Sequence, residues 1–247
     1  MDTEELLRTY PRQRPPLSPE FEKVYLPVYL QSRDGATLAW KASQALEAWM
    51  HRKVARRSGG GPVLELGAGT LNHLRFEPPT AAYDVVEPWP DLYKGREERG
   101  RVRAFYSDIS EIPPATRYRH IISIASLEHI VDLPVCLARC GLMLEPGGGL
   151  SAGIPSEGGF LWGFSWRASV GLLFRLKTGM NYGELISHEH VNEAPEIIKL
   201  TRLFFRKVRV TRFPLPWHHA SLYAFIQAED PDRDLCGRYL RQLSSPE

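Results

Sequence analysis

The apolar positions of this chain follow three successive patterns. Over about 18–31 and 37–57 they recur at helical spacing. Leu38, Ala42, Leu46, Trp49, Met50 and Val54 share one face of the second stretch, the repeat of an amphipathic helix. Ser18 is placed to cap the first helix, with Glu20 and Glu22 in its opening turn. The second runs into His51-Arg52-Lys53-Val54-Ala55-Arg56-Arg57 and then Ser58-Gly59-Gly60-Gly61. A basic last turn followed by glycine is an ordinary helix stop. Ahead of both, residues 1–16 read as a loose, polar arm.

From residue 62 the pattern shortens. Apolar runs predict strands over about 62–66, 82–87, 102–106, 119–125 and 148–154, with helical stretches over 71–75, 90–97 and 127–143 between them. Asp132 and Pro134 move the start of the last helix to about Leu133, since proline suits a first turn and breaks an interior. Glu128 and His129 then lie on a loop after the fourth strand. Leu144-Glu145-Pro146-Gly147-Gly148-Gly149 ends the helix and turns the chain into the fifth strand. Short buried strands alternating with helices predict a parallel sheet covered on both faces.

Beyond 155 the pattern changes again. Residues 155–186 are rich in glycine and aromatics, with Phe160, Trp162, Phe164 and Trp166 alternating. Leu172, Leu173, Phe174, Leu176 and Met180 follow, interrupted by Arg175 and Lys177. A helix over about 194–204 leads to strand-like runs at Arg206–Phe213 and Ser221–Gln227, and the tail from Asp230 carries one more short helix.

Composition narrows the picture. The chain has 247 residues, 43% of them apolar, and a net charge of +2 with acids and bases mixed. That is enough apolar material for a large core, and it leaves no basic face for nucleic acid. Cys136, Cys140 and Cys236 make no complete disulfide framework and read as core thiols in a reducing compartment. The amino-terminal stretch has no apolar core of a secretory signal, and no uncharged apolar run is long enough to span a bilayer. The expected location is cytoplasmic, without stable membrane insertion. Nothing in the residues sets an oligomeric state.

The candidate chemistry begins at Val63-Leu64-Glu65-Leu66-Gly67-Ala68-Gly69-Thr70. A strand ends in two glycines, where backbone can approach a ligand. A second strand ends at Glu87 about twenty residues later, the spacing at which nucleotide-binding βαβ units hold a ribose diol. A dinucleotide fingerprint would carry a third glycine where Asn72 stands, which argues against a nicotinamide cofactor.

The ordered set of motifs is more specific. Glu65-Leu66-Gly67-Ala68-Gly69 resembles the E/D-x-G-x-G motif of class I S-adenosylmethionine-dependent methyltransferases. Glu87 matches that family's second acidic strand end, and Ser107-Asp108-Ile109 its adenine-proximal segment. Ala125-Ser126-Leu127-Glu128-His129 is similar to its motif after strand four, and Leu144-Glu145-Pro146-Gly147-Gly148 to its turn before strand five. The resemblance spans about 60–228. It implies an α/β, Rossmann-like seven-stranded sheet of order 3-2-1-4-5-7-6 with its last strand antiparallel. The methyltransferase domain would occupy 59–247, after an amino-terminal arm and helices over 1–58, with 155–192 as a lid-like insertion.

The same resemblance implies S-adenosylmethionine as cofactor, held by Glu65, Gly67, Ala68, Gly69, Glu87, Asp108, Ile109 and Ala125. Gly67, Gly69 and the helix start would meet its methionine end, Glu87 its ribose, Asp108 its adenine amino group and Ile109 the ring face. Leu71 stands where the family often has a third glycine. A metal-dependent subset carries E-x-x-E-H after strand four; Ala125 replaces its first acid, so no metal is expected.

Methyl transfer to a hydroxyl needs a base, and histidine titrates in the right range. His129, His188 and His190 are the catalytic candidates. His51 and the His218-His219 pair are weaker ones. The reading is methyl transfer to a small molecule, O-methylation favoured, with a sugar or secondary metabolite as acceptor. The alternatives are a quinone-like or lipid acceptor at a membrane surface, and a cofactor-binding protein without catalysis.

Overall fold

The computed structural model describes residues 2–21, 23, 48–55, 60–80 and 82–244. Most of the two predicted amino-terminal helices lies outside these residues. The described part of the second, 48–55, is helical and packs Met50 and Val54 against the sheet.

The centre is a seven-stranded sheet of order β3-β2-β1-β4-β5-β7-β6. The strands are β1 (Val63–Leu66), β2 (Tyr83–Val86), β3 (Ala104–Tyr106), β4 (Tyr118–Ile124), β5 (Leu144–Pro155), β6 (Phe205–Pro214) and β7 (Ser221–Pro231). The first five pair in parallel, and β7 runs antiparallel to both β5 and β6. Both order and direction agree with the expectation from the motifs.

Every residue of β1 and β2 is buried, as strands covered on both faces require. Side chains of β1 alternate between two cores. Leu64 and Leu66 join the larger one, built with the helix Leu133–Met143, and Val63 joins the smaller one with Met50, Val85 and Ile122. Each fully buried Leu or Ile contributes about 1.5–3 kcal/mol. Toward the amino ends of the strands, Asp84 ties three of them together. It accepts from Arg103 Nε at 2.8 Å, Arg103 Nη2 at 2.5 Å and the Tyr118 hydroxyl at 2.8 Å.

The helices are α1 (Thr3–Leu7), α2 (Leu133–Met143), α3 (Phe160–Trp166), α4 (Leu172–Thr178), α5 (Tyr182–Glu189), α6 (Ala194–Phe204) and α7 (Arg233–Ser244). A π-helical segment, Arg167–Gly171, joins α3 to α4. Helix α2 starts where the proline rule put it: Asp132 caps it by accepting from the Val135 N–H at 3.4 Å, and Pro134 lies in the first turn. Within the turn of chain that opens β5 the register jumps from Tyr118↔Leu144 to His120↔Gly149. A Cβ on Gly148 would lie 2.8 Å from the Arg119 carbonyl oxygen, so this turn needs glycine.

Three local expectations need correction. The stretch 71–75 is only a 3-10 turn, Asn72–Arg75, because Pro78 and Pro79 follow too soon for a helix to extend. The stretch 90–97 resolves into two 3-10 turns, Pro90–Leu92 and Glu97–Arg101. The arm expected to be loose carries α1, with a reciprocal cap between Asp2 and Glu5 and Leu6 buried in the larger core.

Candidate functional site

The carboxyl ends of β1, β2 and β4 converge on a cavity of about 270 Å³. Gly67, Gly69, Glu87, Ala125 and His129, all singled out in the sequence, line it together with Ser126 and His188. Gly67 has a φ of +68°, and a Cβ there would lie 1.9 Å from Ser126 Oγ. Only glycine lets the β1 end and the β4 end approach this closely. Ala125 also holds a left-handed backbone, at φ +49°, while its N–H donates to the Gly153 carbonyl at 2.8 Å. Leu71, where a glycine is common in the resembling family, is left-handed too, at φ +62°, and fully buried.

Glu87 clamps the glycine bend. Its Oε2 accepts from the Gly69 N–H at 2.7 Å and its Oε1 from the Trp89 N–H at 3.0 Å. A carboxylate oxygen has two lone pairs, so a single N–H bond does not by itself exhaust either one. The Gly69 N–H, expected to meet the cofactor's methionine end, is engaged by Glu87 instead. The helix start expected beside it is the 3-10 turn at Asn72.

Several motif residues lie away from this lining. Glu65 is fully buried and accepts from the Tyr83 hydroxyl at 2.7 Å. Burial pushes its carboxyl up, opposed by His73 and by the Tyr83 hydrogen bond. Ala68 packs in the smaller core. Asp108 is exposed and accepts from the Ser110 N–H at 2.8 Å, while Ile109 is buried in the larger core rather than open to a ring. His51 is buried beside His73, 3.0 Å between Nδ1 atoms, and stacks on Phe76. His218 and His219 sit in the turn between β6 and β7.

The histidine candidates separate. The His129 and His190 rings meet edge to face with centroids 4.8 Å apart. His129 Nδ1 lies 2.8 Å from the Glu189 carbonyl oxygen, and His190 Nδ1 contacts the Glu157 carboxylate. Burial, the largest influence, opposes charge on His190, but Glu157, Glu128 and Glu189 together outweigh it and raise its pKa; burial in turn pushes the Glu157 carboxyl up. His188 lines the same cavity, with Nδ1 2.7 Å from the Pro15 carbonyl oxygen.

Asn192 explains how residues from the insertion reach β4. The Val191 and Asn192 N–H groups donate to the Glu128 carbonyl at 2.9 and 3.1 Å. The Asn192 side chain donates to Leu127 O at 3.0 Å and Ile130 O at 2.7 Å, and accepts from the Tyr10 hydroxyl at 2.6 Å. Arg14 completes this strap, donating to His129 O at 2.8 Å and His188 O at 3.1 Å.

A second cavity, of about 560 Å³, lies under the insertion and is lined by Glu157, Trp162, Trp166, Arg167, Glu184 and Glu193 among others. Glu157, His190 and His129 thus connect the two cavities. Glu128, His129 and His190 also bring one potential ligand atom each within 4.8 Å of one another, so this set has the donors for a metal ion.

Sequence reasoning missed Arg14, Trp89, Glu157 and Asn192. Trp89 did carry a signal, as a large aromatic two residues past an acidic strand end, and it is 43% exposed. The other three act through contacts remote in sequence.

No protein-family model matches the chain, and no curated protein matches it. Solved structures do. A SAM-dependent methyltransferase and possible histamine N-methyltransferase from Thermotoga maritima aligns with a TM-score of 0.54 at 16% identity, covering 90% of this chain and 98% of that one. The N-methyltransferase NodS from Bradyrhizobium japonicum WM9, solved with S-adenosyl-L-homocysteine, gives 0.53 at 15% identity, covering 81% and 91%. An O-methyltransferase family protein from Burkholderia thailandensis gives 0.53 at 14% identity, covering 92% and 67%. The chain therefore has the fold of class I SAM-dependent methyltransferases. No helix among the described residues is long and apolar enough to cross a membrane.

Proposed function

We propose that this protein transfers a methyl group from S-adenosylmethionine to a small molecule, and that the acceptor is a hydroxyl. The cofactor would occupy the cavity at the glycine bend, its ribose on Glu87 and its methyl toward His129. When bound, it supplies the electrophilic methyl; the protein orients the acceptor, excludes water and takes a proton. The observation carrying this reading is the chain of side chains between the two cavities. His129 lines the first, Glu157 lines the second, and His190 touches both residues. Glu157 fixes the His190 tautomer by accepting from Nδ1–H, which leaves the basic lone pair on Nε2. An acceptor hydroxyl held there would lose its proton to the histidine pair as methyl transfer proceeds.

Calorimetry with S-adenosylmethionine and with NAD tests the first half. Binding of the former alone is expected; no heat with it sinks the proposal. Incubation with labelled methyl donor and a metabolite extract tests the second. Firm binding without incorporation would leave a cofactor-binding protein without catalysis.

A metal-assisted reading has one observation in its favour, the Glu128-His129-His190 cluster. There a divalent cation, rather than the imidazole pair, would acidify the hydroxyl. Activity unchanged by chelator and by added Mn²⁺ or Zn²⁺ rejects it.

A further inference from the structure

We infer that the cavity under the insertion is a site for a hydroxyl-rich ring, a pyranose that is neutral or carries an amine. This rests on the methyl-transfer reading and names its acceptor class. Two features of the cavity carry it. Trp162 and Trp166 line it with ring centroids 6.2 Å apart at 60°, and indole faces stack on the apolar C–H face of a sugar ring. The second feature is the acid content: among the described lining residues, Glu157, Glu184 and Glu193 are set against one cation, Arg167.

The carboxylates are held rather than loose. Glu184 accepts from the Ser18 N–H at 2.6 Å, Glu193 caps α6, and Glu157 contacts His190. Each still has lone pairs for hydroxyl or ammonium donors. Arg167 lies 4.5 Å from the Trp166 ring centroid, which occupies part of its charge in a cation–π contact. Three carboxylates against one guanidinium repel phosphate and carboxylate ligands. A quinone would use the indoles but desolvate the acids without pairing them, and a phenol brings fewer donors than a hydroxyl rim. A ring with an apolar face and a hydroxyl rim satisfies both sets. The volume of about 560 Å³ is ordinary for a compact organic ligand. The same wall carries Glu157 to His190, so a hydroxyl of a ring seated there lies beside the proposed base.

The test uses the full chain loaded with S-adenosylhomocysteine and four probes: methyl glucoside, glucosamine, glucose 6-phosphate and catechol. Indole fluorescence is titrated with each, and methyl incorporation from labelled S-adenosylmethionine is measured in parallel. At least one of the first two is expected to quench and to take up label, with glucose 6-phosphate at least tenfold weaker. Trp162→Leu removes one indole face. It is expected to weaken pyranose binding about tenfold and to leave S-adenosylhomocysteine affinity unchanged. Absence of pyranose quenching, preference for catechol or the phosphate, or an unaffected Trp162→Leu variant overturns the inference. Label entering catechol alone would sink only this inference, whereas loss of S-adenosylhomocysteine binding by the parent protein would sink the function on which it rests.

Discussion

The two cavities are built in opposite ways. The one at the glycine bend is made by strand ends and backbone: Gly67 pressed on Ser126, Glu87 holding two N–H groups, Ala125 in a left-handed turn. The one under the insertion is made by side chains on short helices, whose outer face leaves Phe160 73% and Leu176 75% exposed. The first has little freedom to change without breaking the sheet. The second can be redrawn by surface substitutions, which suits a cofactor shared across a fold and an acceptor that varies.

The strongest way to break this contrast is Gly67→Ala. Its Cβ meets Ser126 Oγ at 1.9 Å on a backbone at φ +68°, so a loss of about 3 kcal/mol or more is expected in denaturant unfolding. Adding Ser126→Gly should return the overpacking part and not the backbone part. Next comes Glu87→Ala, which strands the Gly69 and Trp89 N–H groups and removes the proposed ribose acceptor. Calorimetry should show S-adenosylmethionine affinity falling roughly 100-fold.

Asn192→Ala probes the link between the two regions. The Leu127 and Ile130 carbonyls lose their donor, at a cost of about 1–3 kcal/mol. Turnover should fall far more than cofactor affinity, because His190 loses its place beside His129. If both fall equally, the two regions are one unit and the contrast fails.

Glu157→Gln sharpens it through pH. The Glu157 contact raises the His190 pKa above 6.5, so the neutral, basic imidazole accumulates only above that raised value. The acidic limb of the pH–rate profile should therefore move to lower pH in the variant. Stability follows the same sign. The His190 contribution is full below the unfolded pKa and fades as pH rises through the folded one, and Glu157→Gln should weaken that dependence, leaving the part due to Glu128 and Glu189. Smallest of all, Leu176→Ser on the exposed face should change stability by less than about 0.5 kcal/mol. Vesicle co-sedimentation of the parent but not of this variant would instead favour the lipid-acceptor reading.

What could be read in advance follows the same division. β1, β2 and β5 were legible as short apolar runs closed by Gly67, Pro88 and Pro155, and the strand order came with the ordered motifs. The Asp132-Pro134 start of α2 was legible for local reasons. Less visible was anything depending on contacts between distant segments. That Ile109 joins the larger core, and that Asp108 is exposed and accepts from the Ser110 N–H, could not be read from the motif alone. The 3-10 turn after Leu71 was hidden because the helical pattern of 71–75 gave no measure of how soon Pro78 and Pro79 would stop it. Glu157 and Asn192 had no pattern of their own; their importance lies in what the fold sets opposite them.

The amino-terminal strap has a practical corollary. Tyr10 and Arg14 fasten onto Asn192 and onto the carbonyls of His129 and His188, so this short stretch is a seam beside both cavities. Trimming the first sixteen residues to tidy an expression vector would unfasten that seam and strip Leu6 from the larger core, lowering turnover and stability together.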